Sequence, residues 1–125
     1  MRVLVMGGRG HLGETTMRGL RERGHEVLRC HDAGSPPFPC AALVGECPFD
    51  GDAPVDAALV VRDDVWPRPT QHDRGVTCAV RARVPVLMMG KAALNPYEDW
   101  INGHVLAGQD PVDAVERVVA QRREA

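Results

Sequence analysis

Seven consecutive residues near the amino terminus, Gly7-Gly8-Arg9-Gly10-His11-Leu12-Gly13, combine glycine spacing with side chains that can meet an anion. They satisfy G-x-G-x-x-G from Gly8 and G-x-x-G-x-x-G from Gly7. Glycines at this spacing serve three tasks that a β-carbon obstructs: a sharp turn, close approach of backbone to a pyrophosphate, and tight packing of a helix on a strand. Amides at the start of the following helix would then face the phosphates. All seven residues are therefore candidate cofactor contacts. A strand-to-helix turn that holds no ligand is the alternative reading of the same pattern.

The four cysteines are the second feature with possible chemistry. Cys30, Cys40, Cys47 and Cys78 are separated by nine, six and thirty residues, which matches no C-x-x-C zinc or ferredoxin pattern. Their expected placement is more suggestive than their spacing. Cys30 ends a strand, Cys40 and Cys47 lie in a long loop, and Cys78 falls on a crossover helix, so all four could gather near one sheet edge. They are candidate ligands for an iron-sulfur cluster or zinc, and Cys40 with Cys47 could form a redox pair. Buried thiols at Cys30 and Cys78, acting as small hydrophobes, are the plainer alternative.

Other chemical groups are scattered. Asp32, with His31, is expected at the end of a second strand, where an acid can accept ribose hydroxyls. Asp63 and Asp64 follow a third strand and could bind a ribose or Mg²⁺, although paired acids in a turn are usually solvated. Ser35 is the single serine, and no nucleophile-base pair has diagnostic spacing, which argues against an ordinary serine hydrolase. Trp66 and Trp100 stand among charged residues or prolines and suit loop anchoring or a contact surface.

Among the supporting elements, Arg2 to Met6 is a β-branched and apolar run that reads as a buried parallel strand. A helix is expected over about Leu12 to Arg23, with Leu12, Thr16, Met17 and Leu20 inward and Arg18, Arg21, Glu22 and Arg23 in water. Gly24 stops it, and His25 to Arg29 starts a second strand. Residues 31 to 54 are rich in Pro and Gly and predict a long loop, with room for one helical turn near Cys40 to Gly45. Val55 to Val61 is a third strand. Thr70 to Arg83 is a helix with Val76, Cys78, Ala79 and Val80 on its inner side, and Pro85 to Met89 is a fourth strand ending at Gly90. Residues 91 to 109 read as irregular, with a short helix near Tyr97 to Asn102. Pro111 to Arg123 is a terminal helix with a stripe of Val112, Val115, Val118 and Val119.

This order predicts one Rossmann-like, three-layer α/β domain over residues 1–125, with a parallel sheet of four or five strands and right-handed crossovers. A chain of 125 residues can bury a core without staples. Its net charge of -2, with 14 Arg and one Lys against 17 acids, gives no footprint for nucleic acid or an anionic membrane. No apolar run is long enough to span a bilayer, and the first strand leads into glycines rather than a cleavage site. A cytoplasmic protein with reduced thiols is the expectation.

The stretch Val-Leu-Val-Met-Gly-Gly-Arg-Gly-His-Leu-Gly, followed by Leu-Arg-Glu-Arg-Gly-His-Glu-Val, resembles the amino-terminal NAD(P)-binding unit of extended and atypical short-chain dehydrogenase/reductases. The likeness covers residues 1 to 30. It implies that Arg9 helps hold the adenine-ribose phosphate of NADP. The end of the second strand would choose the cofactor, with Asp32 favouring NAD and Arg29 joining Arg9 in favouring NADP. The family's catalytic Tyr and Lys, four residues apart on one helix, are missing: Tyr97 is the single tyrosine, position 101 is Ile, and Lys91 precedes it. The expectation is therefore a nucleotide-binding redox accessory or sensor, or part of a larger oxidoreductase, in place of a complete dehydrogenase. A metal or iron-sulfur protein on the same scaffold is the second hypothesis, and an interaction module without nucleotide is the third. An exposed sheet edge suggests a homodimer.

Overall fold

A computed structural model describes residues 1–7, 10–29, 47–51, 53–62, 75–90 and 97–124. Among the described residues, five strands and three helices follow in the order β1 (Arg2–Gly7), α1 (His11–Glu22), β2 (Glu26–Leu28), β3 (Ala57–Arg62), α2 (Gly75–Arg81), β4 (Val86–Gly90), β5 (Gly103–Val105) and α3 (Pro111–Glu124). A short 3-10 turn, Pro48–Asp50, precedes β3. All strand pairings are parallel, and the sheet order is β2-β1-β3-β4-β5.

The central strands are apolar on both faces because helices or turns cover both. Val3, Val5, Leu59, Leu87 and Met89 point to one side, where Met17 and Leu20 of α1 and Val112, Val115 and Val119 of α3 complete a core. Leu4, Met6, Val60, Val86 and Met88 point to the other side, against Val76 and Ala79 of α2, with Phe49, Tyr97 and Ile101 packed around them. This two-sided burial explains why β1, β3 and β4 read as continuous apolar runs without alternation. The result is the three-layer α/β domain expected from the element order, with five strands.

Three local expectations are corrected. Cys78 is exposed on α2, because the turn spacing that buries Val76 and Ala79 leaves positions 77 and 78 outside. Leu12 is 37% exposed instead of belonging to the core, since α3 begins beyond it and does not cover the first turn of α1. Residues 97–100 form a turn, with Trp100 N–H donating to Tyr97 O at 2.8 Å, and β5 follows where irregular chain was expected. Asn102 docks that strand: its N–H donates to Val86 O at 2.7 Å, and Val86 N–H donates to its Oδ1 at 2.9 Å. Such a reciprocal pair satisfies both backbone groups at the start of β4. The helical turn at 40–45 and the start of the second helix at 70–74 lie outside the described residues.

Helix α3 is tied to α1 through charge as well as packing. Arg23, just past α1, donates from Nη2 to Asp113 Oδ1 at 2.8 Å and from Nε to Glu116 Oε1 at 3.0 Å. His25 Nε2 lies 3.2 Å from the same Glu116 oxygen. The hydrogen bond with His25, the largest influence, outweighs the opposing effect of burial and, joined by the bond and charge of Arg23, holds the Glu116 carboxyl below its ordinary range. Arg23 is correspondingly raised, chiefly by its hydrogen bond to Asp113. His25 is part of this cluster, with its side chain 12% exposed.

Candidate functional site

The site is built where β1 stops. Gly7 pairs with Val61 of β3 and has φ +74°, a left-handed conformation that side chains resist. A β-carbon there would lie 2.5 Å from Val61 O, so the close approach also excludes a larger residue. On the far side of β3, Gly90 ends β4 with φ +95°, and a β-carbon would collide with Arg62 O. Two of the carboxyl-terminal strand ends therefore turn on glycine against the backbone of β3.

Chain direction makes the same place a branch point. β1 exits to α1 on one face, whereas β3 leads to α2 on the other. In a sheet of this order the crevice between the carboxyl ends of β1 and β3 is where ligands collect in open α/β folds.

Helix α1 begins at His11 with Gly10 as its N-cap, and among the described residues no side chain caps it. The amides of His11, Leu12 and Gly13 precede the first α-helical bond, from Glu14 N–H to Gly10 O at 3.1 Å, and so have no carbonyl partner within the helix. Gly10 has φ -98° and ψ -164°, extended geometry open to any residue. Its lack of a side chain therefore meets no conformational need, at a position where Ser, Asp or Asn would cap the helix better. Gly13 is buried in α1, whereas His11 and Leu12 are exposed. His11 Nε2 lies 3.5 Å from Thr15 Oγ1, one turn on.

Beside this first turn lies a cleft of about 600 Å³ between α1, the ends of β4 and β5, and the start of α3. Leu12, Met89 and Leu106 give it an apolar wall, and Gly19 and Val112 lie at the approach of α1 to α3. Sequence reasoning missed the contributions of Val105 and Leu106. Gly90 carried the one legible signal, as a glycine closing an apolar run.

Among the expected cofactor contacts, Gly7, Gly10, His11, Leu12 and Gly13 are brought together at the end of β1. Gly8, Arg9 and Asp32 lie outside the described residues. Arg29 extends from beyond β2 to α1, with Nη1 3.4 Å from Met17 Sδ. Of the cysteines, Cys47 is partly buried ahead of the 3-10 turn and Cys78 faces outward from α2, while Cys30 and Cys40 are outside the described residues. No group of three His, Cys, Asp or Glu side chains converges as metal ligands among the described residues. Tyr97 packs with the core on the α2 side of the sheet, across from the cleft. No helix among the described residues is long and apolar enough to cross a membrane.

No family model and no curated protein matches the sequence. Among solved structures, the fold is similar to a two-component response regulator from Clostridium difficile, with TM-score 0.59 and 12% identity over 100% of this chain and 99% of that one. A nucleoside-diphosphate-sugar epimerase from Pseudomonas aeruginosa aligns with TM-score 0.46 and 20% identity, covering 98% of this chain and 46% of its own. The chain thus spans under half the length of that epimerase. What the comparisons establish is the fold: a small Rossmann-like or flavodoxin-like α/β domain with an all-parallel five-stranded sheet.

Proposed function

We propose that this chain binds a dinucleotide, NAD or NADP, with the pyrophosphate against the first turn of α1. The observation that carries this reading is Gly10. It brings no side chain to the amides of His11, Leu12 and Gly13, which have no side-chain cap among the described residues, although its own backbone would admit a capping residue. A pyrophosphate oxygen accepts from such amides and gains from the positive end of the helix. Gly7 supports the reading by turning the chain tightly at the β1–β3 branch point. With position 101 an Ile and Tyr97 packed across the sheet from the cleft, the reading is a redox accessory or sensor in place of a self-sufficient dehydrogenase.

Calorimetric titration with NADH and NADPH tests the proposal. Saturable binding of either one supports it. Absence of binding at millimolar cofactor, by a protein whose circular dichroism shows it folded, overturns it.

A further inference from the structure

The cleft beside α1 has a chemistry different from that of the anion site. Its volume of about 600 Å³ lies within the range of small-molecule pockets. Along α1 it runs from Leu12 to Gly19, a rise of about 10 Å at 1.5 Å per residue, which is the length of a fused two-ring compound.

Its polar groups are largely engaged by the protein itself. Thr16 Oγ1 donates to Leu12 O at 2.8 Å, and Gln109 Oε1 accepts from Leu106 N–H at 2.9 Å. The start of α3, which would otherwise attract an anion, is already capped: Asp110 Oδ1 accepts from Val112 N–H at 2.9 Å. A carboxylate therefore sits at this end of the cleft, with Arg23 Nη1 4.0 Å from its other oxygen; because Arg23 is shared with Asp113 and Glu116, the acids outnumber it and disfavour a second negative charge. The walls are Leu12, 37% exposed, and Leu106, 64% exposed, with the adaptable thioether of Met89 between the strand ends. Helix α3 leads the chain away from the opening toward the amino-terminal edge of the sheet, where Arg123 meets Asp56.

We infer that this cleft binds an uncharged, mainly apolar ring compound of up to two fused rings, separate from the anion held at α1. The apolar walls supply the affinity, and the Asp110 carboxylate supplies the preference for neutral over anionic ligands.

A matched pair of probes tests this: 2-naphthol, neutral at pH 7, and 2-naphthoate, the same ring system with a carboxylate. In ¹⁵N and ¹³C-methyl NMR titrations of the full chain, 2-naphthol is expected to bind with Kd below about 1 mM, with shifts centred on Leu12, Met89, Val105 and Leu106. 2-Naphthoate is expected to bind at least about tenfold more weakly. Thr15→Phe, at an exposed helix position lining the cleft, should fill it and weaken 2-naphthol by about tenfold or more. Ala107→Trp, in the opposite rim, should do the same without touching a helix. Equal or tighter binding of 2-naphthoate, shifts elsewhere, or unchanged 2-naphthol binding in both folded variants would overturn the inference. The NADH titration fails or succeeds separately: 2-naphthol binding in a chain that ignores NADH overturns the nucleotide reading alone.

Discussion

Gly7 and Val61 approach so closely that a methyl group on Gly7 would stand 2.5 Å from the Val61 carbonyl oxygen. The contact joins the exit of β1 to the central strand and sets the direction in which the chain enters α1.

Gly7→Ala should therefore destabilise the fold by about 2–4 kcal/mol, from left-handed backbone strain together with a steric clash that backbone atoms cannot relieve cheaply. Gly24→Ala is the control. Gly24 has φ +83° but nothing within 4 Å of a new β-carbon, so only the strain of about 1 kcal/mol applies. Urea unfolding of both variants checks the difference, and equal losses would contradict the role given to Val61.

Gly10→Asp separates stability from binding. The backbone of Gly10 accepts an L residue, and an N-cap aspartate should stabilise α1 by up to about 1 kcal/mol over glycine. The same carboxylate would occupy the amides proposed for pyrophosphate. The expected outcome is a raised urea midpoint with NADH affinity reduced at least about tenfold. Raised stability with unaltered affinity would show that the nucleotide binds elsewhere.

The depressed carboxyl of Glu116 gives a pH-dependent contribution of known sign. Its charged form is favoured in the folded state by His25 and Arg23, so this stability is fully present above the ordinary value of 4.5 and is lost as pH falls through the lower folded value. Glu116→Gln should lower the urea midpoint at pH 7, and the deficit should shrink as pH falls below about 4.5 toward the acid limit. Because the cluster is solvent-accessible, high salt should also narrow the gap. A deficit constant with pH would assign the effect to packing alone.

Asn102→Ala removes the acceptor of the buried Val86 N–H while keeping the chain's shape at β5. The expected cost is about 1–3 kcal/mol, the desolvation of an unsatisfied amide. Hydrogen exchange should quicken first at Val86 and Gly103, while amides of β1 remain protected.

Much of the fold follows from local sequence. Val3 to Met6 and Ala57 to Val61 are apolar without interruption, as a doubly covered parallel sheet requires, and the Met17 and Leu20 spacing with Gly24 after it bounds α1. Gly7 likewise marked the end of β1, because its positive φ and the nearby Val61 carbonyl exclude a β-carbon there, and that exclusion is written in residue type. Tertiary structure decided the rest. Gly103-His104-Val105 has no apolar run to mark it, and it is a strand because β4 supplies its partners and Asn102 docks it. Leu12 has the spacing of a core residue, yet whether a periodic residue is covered depends on where α3 starts, ninety-nine residues later in the chain. His25 and Glu116 meet across a separation of 91 residues. Periodicity fixes which face a residue takes on its own element, whereas coverage and pairing belong to elements brought alongside by the whole fold.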